Sequence, residues 1–233
     1  MAVTTVGVVI NNAKLVLQEV TAAGTRWTNE ELIGWLNEGY QAITQIKPDA
    51  ASVNAPHKLV AGTRQEIPSD GLRLIDVVRN TAADSAMMGI LVTTRRALDT
   101  TRRSWHSDEK SIDVEQYVFD DQDPTRFYVY PPAAEGAEVE IIYSSVPAPH
   151  DVSKGLNGLR DDPIKLNDSY GPCLTDYILY RAYSKDAEHA ANLSRAQMHL
   201  QSVATALGQK IEVDRSISPN AADGSSNPQR TRQ

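Results

Sequence analysis

The residues best suited to nucleophilic, acid–base or metal chemistry are one cysteine, Cys173, and five histidines, His57, His106, His150, His189 and His199. Their spacing assembles no reaction centre. There is no His-Glu-x-x-His run, and His189 and His199 stand ten residues apart, a separation that does not stack two ligands on a straight helix. Histidines packed singly in helices and loops are the expectation. Cys173 follows Pro172 in an apolar helix start with no base nearby in sequence, so it reads as a small buried hydrophobe. Ser107 and Lys110 match Ser-x-x-Lys, but the companion motifs of that chemistry are absent. Asp120, Asp121 and Asp123 could gather a cation, yet Arg126 and Pro132 occupy the positions where a calcium loop needs glycine and glutamate. A turn between strands fits those aspartates better. Glu138 and Glu140 share a strand face, as paired acids or as ordinary charges on a solvated sheet. A hydrolase assembled from Asp121, Glu138 and His150 has no spacing to recommend it. The chemistry therefore excludes more than it offers: no catalytic residues, metal or cofactor are expected.

The positive signal is cationic. Arg95, Arg96, Arg102 and Arg103 fall within nine positions of an otherwise acidic chain, on a short helix predicted over 94–105. They suit the carboxylates of a protein partner or, alternatively, a nucleic-acid backbone, which would make this a nucleic-acid-binding regulatory protein. A net charge of -7 weighs against the second use, because gripping phosphates depends on accumulated Lys and Arg. It suits a soluble surface that adheres weakly to polyanions.

The most completely written local element lies at 28–46. Thr28 and Glu31 form a capping box, Leu32, Ile33, Trp35, Leu36, Tyr40 and Ile43 make an apolar stripe, and Pro48 stops the helix. A first helix is predicted over 3–22, capped by Thr4 or Thr5 and stopped by Gly24, making a helical hairpin with the second. After a loop over 49–56 the periodicity becomes that of strands. A short hairpin is expected over 57–68, a strand of unclear facing over 72–80, and an antiparallel meander over 114–119, 126–130 and 137–146. A Pro- and Gly-rich link follows, then two helices with a break near 184–186, ending at Gly208. From Glu212 to Gln233 the composition cannot bury enough surface to order itself.

The expected class is thus α+β: a bundle of N- and C-terminal helices, an inserted antiparallel sheet or small sandwich, and an extended C-terminal tail. The expected divisions are a helical hairpin at 1–48, a β-rich insertion at 57–147, a linker at 148–167, C-terminal helices at 168–208 and an arm at 209–233. At 233 residues the chain can hold one sizeable core or two small ones. A single cysteine excludes an internal disulfide, no apolar run approaches the roughly 20 residues of a membrane span, and the N-terminus lacks a signal-peptide pattern. Synthesis in a cytoplasm, with no membrane partner, is expected.

Five segments together carry a family resemblance: RWTNEELIGWLNEGYQAI from Arg26, LRLIDVVRN from Leu72, FDDQDPTRFYVYPP from Phe119, VEIIYSSVP from Val139 and DYILYRAYSKDAEHAANLSRAQMHLQSVATALG from Asp176. In this order the chain resembles the head-to-tail adaptor, or connector, proteins of tailed bacteriophages. That resemblance implies a virion structural protein at the neck, a homo-oligomeric, dodecameric ring under the portal vertex, with portal and tail or nozzle proteins as partners. Such a ring extends the channel through which DNA passes without sequence-specific binding, and helps retain the packaged genome until ejection. It implies partner interfaces on the flanks of the 28–46 and 187–207 helices, with Trp35 and Tyr40 as core residues or neighbour contacts, on the four arginines, and on the tail with Arg230 and Arg232.

Overall fold

The computed structural model describes residues 3–19, 26–119, 122–186 and 190–217. The class is α+β, and the chain divides into two compact units: Met1–Lys47 with Ala148–Gln233, which is helical, and Pro48–Pro147, which is built on strands.

In the helical unit, α1 (Val6–Leu17) starts where Thr5 accepts the Val8 amide and ends where Gln18 turns left-handed at φ 56°. The predicted helix over 3–22 is therefore shorter, and Gly24 lies outside the described residues. α2 (Asn29–Ile46) carries both halves of the Thr28–Glu31 capping box. α4 (Gly155–Leu159) is a single turn, followed by α5 (Gly171–Lys185) and α6 (Ala190–Ile217). α1 and α2 touch through Lys14 Nζ, which donates to Asn29 Oδ1, but each packs chiefly on α5. α2 and α5 run antiparallel, drawn together at Gly39, where an added Cβ would meet Leu174 and Tyr177 at 3.1 and 3.2 Å. Arg181 pairs with Glu38 at 3.1 Å and Lys185 with Glu31, while the Trp27 indole donates to the Ala182 carbonyl.

The stop predicted at Gly208 is corrected: α6 continues to Ile217. A glycine inside a helix costs about 1 kcal/mol. Contacts beyond it offset that cost, since Lys210 lies over the Tyr170 ring and Asp214 pairs with the buried Lys47 ammonium at 2.9 Å. The start of the expected arm, 209–217, is thus helix, and 218–233, with Arg230 and Arg232, lies outside the described residues.

The segment between β unit and α5 is fastened to the start of α1. Val6 donates to the Asp162 carbonyl, Ile164 to that of Thr4, and Gly7 to that of Arg160.

The β unit is a sandwich. β1 (Ser52–Lys58), β7 (Glu138–Ser145) and β3 (Gly71–Asn80) form one antiparallel sheet in that order. β2 (Gly62–Glu66), β6 (Arg126–Ala133), β5 (Gln116–Phe119) and β4 (Leu91–Thr93) form the other, with β4 parallel to β5. Leu74, Val77, Val139, Ile141 and Tyr143 from the first sheet share a core with Tyr117, Phe127 and Val129 from the second.

Three strand expectations change. The predicted loop over 49–56 gives way to a 3-10 turn, Pro48–Ala51, and to β1, an edge strand where Pro56 is tolerated. The predicted hairpin over 57–68 is instead a crossing between sheets, because β1 pairs with β7 and β2 with β6. The buried Gln65 side chain fastens that corner, accepting from the Val60 amide at 2.8 Å and donating to the carbonyls of Val60 and Gly62. The predicted meander keeps only its β5–β6 pairing. Ala133 and Ala137 are small enough to bury completely, and Gly136 takes φ 88°, so the chain turns there from one sheet into the other.

Candidate arginine site on the β unit

Local chemistry builds this site. Thr94 caps α3 (Arg95–Thr101) by accepting the Ala97 amide at 3.2 Å, and the Thr100 and Thr101 hydroxyls bond back to the carbonyls of Arg96 and Ala97. Seven residues cannot hold a helix by themselves in water. Packing does so: Leu98 and the fully buried Trp105, on the following 3-10 turn, cover Val118, Tyr128 and Tyr130 on the outer face of the second sheet. The Trp105 ring stacks on His106 at 3.6 Å and meets Tyr128 edge-on. His106 Nδ1 in turn shares a 2.8 Å hydrogen bond with Thr63 on β2.

The four arginines divide into two pairs. Arg102 Nε lies 2.8 Å from Asp108 Oδ2 and its Nη1 donates to the Tyr130 hydroxyl at 2.7 Å, so it fastens the end of α3 to the sheet. Arg95 Nε lies 3.5 Å from Asp99 Oδ2, while the other oxygen of Asp99 accepts the Trp105 indole N–H at 2.9 Å. Arg96 and Arg103 have no ion-pair or hydrogen-bond partner for their side chains among the described residues. Both line a shallow depression of about 680 Å³ together with Arg95, Asp99 and Thr100. The arrangement can bind anions, with two exposed guanidinium forks beside one fixed carboxylate.

The remaining chemistry-bearing residues stand apart. Glu140 bonds Arg79 at 2.6 Å and Asn54 at 2.8 Å, which hold its carboxyl below the usual carboxylate range, while Glu138 accepts from Thr81. They are sheet-face charges with separate partners. Asp123 pairs with Arg126; Asp120 and Asp121 lie outside the described residues. His57 lies against Phe127, His150 is bonded to Tyr40, and His199 Nδ1 shares a 2.8 Å hydrogen bond with Asp176. His189 lies outside the described residues. Cys173 is buried, its thiol pushed up to about 11 by desolvation. Among the described residues no group of three or more His, Cys, Asp and Glu is gathered as a metal ion needs. Trp35 and Tyr40 are 9% and 1% exposed, so within the single chain both serve the interior. Asp99 and Thr100 were not singled out from sequence, although the i, i+4 spacing of Arg95 and Asp99 was the available signal.

The chain matches the family of the SU10 adaptor protein over residues 4–231, a span that takes in both units, and it belongs to that family. It is a phage adaptor-type structural protein, and the family points away from catalysis. No curated protein matches the chain.

Proposed function

We propose that this protein is a head-to-tail adaptor of a tailed bacteriophage, assembling as a ring beneath the portal vertex and joining the portal to the tail machinery. The observation that carries this reading is the near end-to-end family match. Ring assembly requires a heterologous contact, one patch of each chain meeting a different patch of the next. The helical unit offers exposed apolar side chains for it: Val8, Leu15 and Val16 on α1, and Leu193 and Leu200, which share one face of α6. We assign these flanks to the subunit contact, with twelve copies in the ring, and assign the tail with Arg230 and Arg232 to the portal. The flank of α2 contributes through its exposed polar residues rather than through the buried Trp35 and Tyr40. A net charge of -7 favours a channel wall past which DNA slides without adhering. No helix among the described residues is long and apolar enough to cross a membrane. Electron microscopy of the protein mixed with its portal tests the proposal: rings stacked on portal rings support it, and a protein that neither self-associates nor binds portal refutes it.

A further inference from the structure

We infer that the depression on α3 is a docking site for an acidic segment of a partner protein, with Arg96 and Arg103 as the residues that take its carboxylates. The inference rests on the adaptor reading only in expecting a protein partner. Arg95 and Arg102 are committed within the chain, to Asp99 and to Asp108 with Tyr130, whereas Arg96 and Arg103 have no side-chain partner among the described residues. With Asp99 and Thr100 they line one depression. Each guanidinium can hold a carboxylate bidentately.

Rigidity makes this a site rather than a solvated helix face. Leu98 and Trp105 are buried against the sheet, Asp99 is tied to the Trp105 indole, and Arg102 is tied to Tyr130, so the backbone that presents both free forks is fixed before a ligand arrives. Charge selects the occupant. Asp99 lines the depression beside the arginines, so a continuous phosphate backbone would meet a carboxylate there as well as the guanidinium groups. A peptide with discrete carboxylates can place them on Arg96 and Arg103 and turn a backbone amide towards Asp99. Apolar side chains suit it too: Leu91 and Val92, on the edge strand that leads into α3, are 69% and 59% exposed.

The test uses the full-length protein and a short fluorescein-labelled peptide of glutamate with interspersed leucine, followed by anisotropy, beside a labelled DNA duplex at the same ionic strength. The peptide is expected to bind more tightly than the duplex. Arg96→Ala with Arg103→Ala should weaken it by about tenfold or more, the loss of two charge-assisted contacts. Arg96→Lys with Arg103→Lys, which keeps the charge but not the fork, should fall between. Arg64→Ala, an exposed arginine elsewhere on the unit, should leave binding unchanged. Peptide affinity unaffected by the double alanine variant, duplex bound as tightly as peptide, or no peptide binding at all would each overturn the assignment. None of these readouts requires a ring, so the site can fail while the adaptor reading stands.

Discussion

Asn37 and His150 hold each other by a reciprocal pair of hydrogen bonds: the Asn37 side-chain amide donates to the His150 carbonyl at 3.0 Å, and the His150 backbone N–H donates to Asn37 Oδ1 at 2.9 Å. A side-chain amide thus does for the returning chain what a strand neighbour would do, satisfying both backbone groups against α2. Asn37→Ala leaves both without that partner and should cost about 1–3 kcal/mol, read as a lower denaturation midpoint with an unchanged slope. Asn37→Asp keeps only the acceptor and should fall between.

The same residue makes stability depend on pH. Burial lowers the His150 pKa below its usual 6.5, the Lys165 and Lys154 charges lower it further, and Asp162 opposes them. Its ring shares a 3.1 Å hydrogen bond with the Tyr40 hydroxyl, whose own pKa burial pushes up to about 12. A folded pKa below the unfolded one means that the unfolded chain binds the proton first. Stability is therefore full above about pH 6.5 and falls as pH drops towards the folded value. His57, also lowered by burial, adds to the slope. Thermal unfolding between pH 8 and pH 5, conditions of order the His range, should show a falling midpoint, and His150→Phe should flatten that fall.

Lys47 and Asp214 tie the last turns of α6 to the end of α2. The Lys47 ammonium side chain is only 5% exposed, and it holds the Asp214 carboxyl below the usual range. Truncation after Gly208 should lower the thermal midpoint measurably, whereas truncation after Ile217 should leave it unchanged. Equal midpoints for the two would show that the pair contributes nothing. An arm deletion meant to test portal binding must accordingly begin after Ile217.

Asn80 plays a comparable part inside the sandwich. It is fully buried at the end of β3, donates to the Val114 and Met88 carbonyls at 2.8 and 3.2 Å, and accepts the Val114 amide at 2.8 Å. Asn80→Ala strands buried backbone groups and should destabilise the chain by about 2–4 kcal/mol in chemical denaturation.

Gly7 packs where α1 meets the turn after α4. A Cβ there would lie 2.6 Å from the Arg160 carbonyl oxygen, which also accepts the Gly7 amide. Gly7→Ala should lower stability by about 1–3 kcal/mol despite its better helix propensity, and calorimetry would detect the change.

What could be read in the sequence follows the range of the forces involved. The Thr28–Glu31 capping box and the stripe of α2 are complete within one segment, and both appear as read. β3 resisted reading because three register shifts against β7 turn alternating burial into burial every third residue, at Leu74, Val77 and Asn80. Bulges depend on the partner strand, which no local pattern reveals. The sheet-switching corners at Gln65 and Gly136 and the continuation of α6 past Gly208 likewise depend on distant contacts. At the arginine site the charges were visible, and so was the i, i+4 pairing of Arg95 with Asp99, but the fastening of Arg102 rests on Asp108 and Tyr130, which only folding brings to it.

The central claim is that this family member is an adaptor at the head–tail junction. Cryo-electron microscopy of intact virions, with the averaged neck fitted by the two units, tests it most directly. The account predicts a closed ring of this chain directly beneath the portal, with the α1 and α6 flanks between neighbours. Density for the protein elsewhere in the virion, or a neck complete without it, would contradict the account.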